Sequence, residues 1–142
     1  KQQIPMVILS FPGNDQLVRL QRRQYVRVEN AIDVAVHPDD NHVSPFVTVT
    51  SDISAGGAAI IIPSGVNNAI STLLQAWFVL PMQSGEFHYL KLSCKVIRVI
   101  KAGSHERDKL SVQFIDISES KRQLLIRYCF EKQLALRKKG FH

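Results

Sequence analysis

Cysteine is scarce in this 142-residue chain. Cys94 and Cys129 lie in apolar surroundings, outside any CxxC and away from a ligand-like histidine, so they read as buried free thiols, suited to a reducing cytoplasm. Long apolar runs are missing too. LLQAWFVL, residues 73–80, is far short of the roughly 20 residues that cross a bilayer as a helix, and no signal-peptide pattern opens the chain. Signatures of catalysis are equally sparse. The five histidines, His37, His42, His88, His105 and His142, form no HExxH, and Ser10, Ser54 and Ser64 have no GxSxG context. There is no P-loop. His37 and His42 flank Asp39 and Asp40, which a solvated turn explains better than a metal site.

What is present is a basic chain with enough apolar residues, 45%, to build one core. A net charge of +6 points to an anionic partner: a phosphate ligand, a nucleic acid or acidic lipid. The even positions from Val26 to Val36 are mostly apolar while Arg27, Glu29 and Asp33 fall between them, which predicts a strand with a bend at Asn30. A turn at HPDDN, residues 37–41, leads to a β-branched strand at residues 46–54 and, past Gly56 and Gly57, to a short strand at 58–62. Further strands are expected at LLQAWFVL, with Trp77 in the core, from Leu90 to Ile100, and at LSVQFIDI, residues 110–117.

Ser118 is placed as an N-cap, with Glu119 in the first turn of a helix that buries Leu124, Leu125, Tyr128, Cys129 and Leu136. Ile126, Phe130 and Leu134 fall outside that stripe and suit a second surface, on this domain or a partner. About six strands joined by short turns and closed by a helix indicate an antiparallel barrel or sandwich, mainly β.

RLQRRQYVRV, residues 19–28, carries Arg19, Arg22, Arg23 and Arg27. Guanidinium groups bind phosphate and the guanine O6/N7 edge with paired hydrogen bonds and stack on bases. Along an extended chain Arg23 and Arg27 lie about 13 Å apart, too far to grip one phosphate from neighbouring positions. A solvated basic edge is the plainer reading of the arginines alone. DISAGG, residues 52–57, adds the carboxylate of Asp52, the hydroxyl of Ser54, and Gly56 and Gly57, which permit close backbone approach; an ordinary turn, with glycine at positive φ, would also use these residues.

Together, RRQYVR and DISAGG resemble the paired RxxxR and [D/N]xSxxG signature of the PilZ domain, through Arg23 and Arg27, then Asp52, Ser54 and Gly57. The closing LSVQFIDISESKRQLLIRYCFEKQ is similar to the end of YcgR-type flagellar-brake proteins. The resemblance implies a six-stranded antiparallel β-barrel with a C-terminal helix, a receptor without enzymatic activity that binds cyclic di-GMP. Arg22, Arg23 and Arg27 would meet phosphate and guanine, and Asp52, Ser54, Gly56 and Gly57 would line the facing surface. An arginine at position 22 implies an intercalated nucleotide pair, two per chain. Residues 1–20, which open without Met, would be the end of a preceding YcgR-like domain and a switch joint centred on Val18, Arg19 and Leu20; residues 21–142 would be the PilZ domain. Implied partners are a flagellar-motor or polysaccharide-synthesis protein, with homodimerisation through the helix as an option. The alternatives are a single-stranded nucleic-acid-binding barrel, for which Tyr25, Phe87 and Tyr89 would stack bases, and a degenerate PilZ module used only for protein contacts.

Overall fold

A computed structural model describes residues 25–39, 43–66, 72–104 and 106–140. The apolar alternations become six strands, β1 (Asp33–Pro38), β2 (Phe46–Ile53), β3 (Gly57–Ile61), β4 (Leu73–Pro81), β5 (Phe87–Ile100) and β6 (Lys109–Ile115), followed by helix α1 (Glu119–Gly140). All neighbouring strands are antiparallel, and the order β1-β2-β3-β6-β5-β4 closes into a barrel. Closure leaves no sheet edge open. Of the two architectures open to sequence, the barrel is the one formed.

Alternate side chains turn inward and meet as one core: Val34 and Val36 from β1, Ile60 from β3, Leu74, Ala76, Phe78 and Leu80 from β4, and Leu110, Val112 and Phe114 from β6. Phe78 and Phe114 pack edge to face at 5.5 Å. At one mouth of the barrel the β2–β3 and β4–β5 turns lie beside the start of β1 and the end of β6, and α1 covers it. Leu125, Tyr128 and Cys129 enter the core there. Asn30 Nδ2 donates to the Tyr128 hydroxyl, the Cys129 thiol to the Ile53 carbonyl, and the Gln83 amide to Glu131 Oε1. Ser118 caps the helix as expected, its Oγ accepting from the Lys121 amide at 3.4 Å. Both cysteines are free and buried, and burial pushes the Cys94 thiol up to about 12 and that of Cys129 to about 11.

Four sequence expectations need correction. Residues 26–36 do not form one strand. Only Val28 pairs, in an isolated bridge to Ile53, before the chain bends and enters β1 at Asp33. Val26, expected to pack, is 46% exposed, because the single bridge orients Val28 inward and leaves its neighbour outside any sheet. Trp77 is not core. It points outward from β4, edge-on to His37 at 4.6 Å and under the Lys91 ammonium at 5.3 Å, so a polar cage replaces burial. Leu136 is exposed, two turns beyond Cys129, the last stripe residue in the core.

Thr50 fixes the bend. Fully buried, its Oγ1 accepts from the Ile32 amide at 3.1 Å and donates to the Asn30 carbonyl at 2.7 Å. Thr50→Val keeps the shape and orphans both backbone groups, so urea unfolding should show a loss of about 1–3 kcal/mol. An unchanged midpoint would show that the bend is held elsewhere.

Candidate functional site

The segment 25–28 lies across the β2–β3 turn at the helix-covered mouth. Two backbone hydrogen bonds of 3.0 Å, Val28 N to Ile53 O and Ile53 N to Val28 O, fasten it to the end of β2. Since neighbouring residues of an extended chain point to opposite sides, inward Val28 sends Arg27 outward beside Asp52. Arg27 Nη1 stands 3.4 Å from Asp52 Oδ1. The contact is an ion pair without hydrogen-bond alignment, for Oδ1 is buried and has no hydrogen-bond partner among the described residues. The Asp52 side chain as a whole is 20% exposed, so its carboxylate keeps accepting capacity that this contact does not use. A register shift between Thr50 and Asp52 in the β2–β3 pairing marks a bulge, which re-aims Asp52.

Behind this pair the DISAGG turn is held by its own serine. Ser54 is buried; its Oγ accepts from the amides of Gly56 at 3.1 Å and Gly57 at 3.2 Å, and its own amide donates to the Gly57 carbonyl at 2.8 Å. The hydroxyl is thereby engaged with the turn itself. Neither glycine takes a positive φ, unlike Gly65 and Gly85, so the turn reading from sequence is corrected on that point. Space requires glycine at 57 and favours it at 56. A Cβ on Gly57 would fall 2.3 Å from the Val112 carbonyl oxygen of β6, and one on Gly56 would fall 3.2 Å from the Tyr25 ring.

Tyr25 covers Gly56 and, with Val26, Ala55, Ile126, Cys129 and Phe130, lines an apolar groove of about 300 Å³ against α1. On its ring sits the guanidinium of Arg122, 5.6 Å from the centroid. Sequence reasoning missed this contact. Helical spacing puts Arg122 at the head of the stripe Leu125, Ile126 and Cys129, which carries no information about Tyr25.

Of the predicted site residues, Arg27, Asp52, Ser54, Gly56 and Gly57 converge on this one rim. Arg22 and Arg23, and the switch residues Val18, Arg19 and Leu20, lie outside the described residues. Among those described, no group of three or more His, Cys, Asp or Glu is placed to hold a metal ion. No described helix is long and apolar enough to cross a membrane.

The fold is a helix-closed barrel in which the Arg27–Asp52 pair joins the entering chain to a glycine turn. The family model for the PilZ domain matches residues 21–131, and the chain belongs to that family, whose members are receptors and not enzymes. A curated Bacillus subtilis (strain 168) relative, described as "Uncharacterized protein YpfA", is 28% identical over 140 residues, 99% of this chain and 63% of its own. Among solved structures, the Bacillus subtilis inhibitor of motility MotI/DgrA matches with TM-score 0.70 and 28% identity, over 81% of this chain and 53% of that one. The PilZ domain of YcgR from Escherichia coli, solved with c-di-GMP, matches with TM-score 0.61 over 84% and 98% at 21% identity, a likeness of fold. The chain thus spans less than two thirds of the curated relative it matches.

The two glycines should separate on substitution. Gly57→Ala drives a methyl into fixed backbone and should lower stability in urea by about 3 kcal/mol, whereas Gly56→Ala meets only a side chain that can shift and should cost well under half as much. Equal losses would place the close approach elsewhere in the turn.

Proposed function

We propose that this chain is a cyclic di-GMP receptor domain of YcgR type that couples nucleotide binding to motility control. The observation that carries the reading is the meeting of Arg27 and Asp52 at 3.4 Å, since the two motif halves, 25 positions apart in sequence, are brought to one rim. Arg27, with Arg22 and Arg23 from the preceding segment, supplies cations for phosphate and planar faces for guanine. The Asp52 carboxylate accepts from a guanine donor. Ser54 keeps the glycine turn in shape, and Gly56 and Gly57 hold the rim low enough for a base to approach.

Arg22 stacks on a second guanine, giving two nucleotides per chain. On this reading residues 1–20 are the end of a preceding domain and a switch linker centred on Val18, Arg19 and Leu20, driven by contacts that Arg19, Arg22 and Arg23 make only in the nucleotide-bound form. MotI/DgrA is an inhibitor of motility by its name, which supports a motility partner here. The nucleic-acid alternative gains an outward aromatic in Trp77, but His37 and Lys91 already occupy its surroundings.

Calorimetry with cyclic di-GMP, against GTP, cyclic GMP and short single-stranded DNA, tests the reading. Selective binding of cyclic di-GMP is expected. Arg23→Ala and Arg27→Ala should each weaken it by roughly ten- to a hundredfold, the worth of one charge-assisted hydrogen bond of about 1.5–3 kcal/mol. Arg23→Lys should be nearly as harmful, because the planar fork is lost. Asp52→Ala should be severe and Asp52→Asn mild. Unchanged affinity in the three arginine variants would exclude this site.

Stoichiometry is a separate outcome. The unmutated chain should titrate with two nucleotides and Arg22→Leu with one; one nucleotide in both would remove the stacked pair and leave the receptor reading standing.

A further inference from the structure

The Tyr25 ring joins three parts of the molecule that are distant in sequence. It lies two residues before Arg27, covers the backbone of Gly56, and carries the Arg122 guanidinium on its face at 5.6 Å. Arg122 forms no ion pair among the described residues, and its Nε is buried without a hydrogen-bond partner. No carboxylate places this guanidinium; the aromatic face does. A cation within about 6 Å of an aromatic centroid is attracted by the ring's quadrupole, more strongly where water is excluded, as it is from the buried Nε.

From this geometry we infer that Arg122 is a positioning residue of the nucleotide site. It holds Tyr25 on the glycine turn, and Tyr25, through two peptide units and the Val28–Ile53 bridge, sets the direction from which Arg27 reaches its ligand. The inference rests on the cyclic di-GMP reading above and extends that site onto the terminal helix. Coupling of this kind is reciprocal: a nucleotide that immobilises Arg27 restrains Tyr25 and with it the first turn of α1, so the helix senses occupancy.

The test is a double-mutant cycle in cyclic di-GMP affinity on the full chain, with urea unfolding of every variant. Arg122→Gln keeps the aliphatic stem and removes the cation; Tyr25→Leu removes the aromatic face. Each should weaken binding roughly three- to tenfold, and the double variant should be no weaker than the weaker single one. Tyr25→Phe keeps the ring and should bind as the unmutated chain does, and Arg122→Lys should recover most of the loss. Arg127→Gln, on the same helix but paired with Glu131 at 3.2 Å, controls for net charge and should change nothing. Additive losses, no loss in Arg122→Gln, or an equal loss in Arg127→Gln would overturn the positioning role while leaving the receptor reading intact. Absence of binding by the unmutated chain would overturn both.

Discussion

Two backbone hydrogen bonds between Val28 and Ile53 organise the helix-covered end of this molecule. They decide which side of the entering chain faces the core, and three consequences follow. Val28 is buried, Arg27 is directed at Asp52, and Tyr25, on the same side as Arg27 in an extended chain but nearer the turn, reaches Gly56. A one-residue slip in this bridge would exchange inside for outside and separate the ion pair. Thr50 supports the register from below by binding the amide of Ile32 and the carbonyl of Asn30 as the chain turns toward β1.

The helix belongs to the same construction. Leu125 and Tyr128 are wholly buried, each worth about 1.5–3 kcal/mol in apolar surface removed from water. Their partners lie at the mouth, not along the barrel wall. Asn30, whose carbonyl is bound by Thr50, gives its side-chain amide to Tyr128, so one residue ties the bend to the helix. The raised pKa values of Cys94 and Cys129 follow from the same dry interior, which disfavours a thiolate. α1 is thus the lid of the core as well as a wall of the Tyr25 groove, and a change at its first turns reaches the rim without crossing the barrel.

The strands were legible where one face is buried and the other polar. In β5, Lys91, Ser93 and Lys95 separate Leu90, Leu92 and Cys94, and the strand runs through to Ile100 as read, opening three residues earlier at Phe87. In β4 the outward face is itself apolar at Trp77 and Val79, so composition conceals the alternation and does not tell which side Trp77 takes. Residues 26–36 show the opposite failure. Their alternation is genuine, but a strand needs a continuous ladder, and before Asp33 only Val28 forms a bridge. The rim was legible as a motif because Arg27, Asp52, Ser54 and Gly57 each meet a demand of charge, hydrogen bonding or space. Which demand each one meets was not: Ser54 spends its hydroxyl on the turn, and Gly57 answers to the Val112 carbonyl. The Arg122–Tyr25 contact joins residues 97 positions apart, and no local pattern specifies such a pair.

The Arg27–Asp52 pair bears on how such a rim could bind an anion without being blocked by its own salt bridge. At 3.4 Å, with both side chains partly exposed, the pair is of the kind that contributes about 0–1 kcal/mol. A charge-assisted hydrogen bond to a phosphate is worth about 1.5–3 kcal/mol, so a ligand that recruits Arg27 gains more than it disrupts. Asp52 is not stranded by the exchange, since guanine carries donors that satisfy the carboxylate as phosphate satisfies the guanidinium. A ligand with phosphate alone would leave Asp52 as an uncompensated charge beside it, and one with guanine alone would leave Arg27 without an anion. Under the receptor reading, the resting ion pair is therefore cheaply opened, and a ligand that offers both groups at once gains most by opening it.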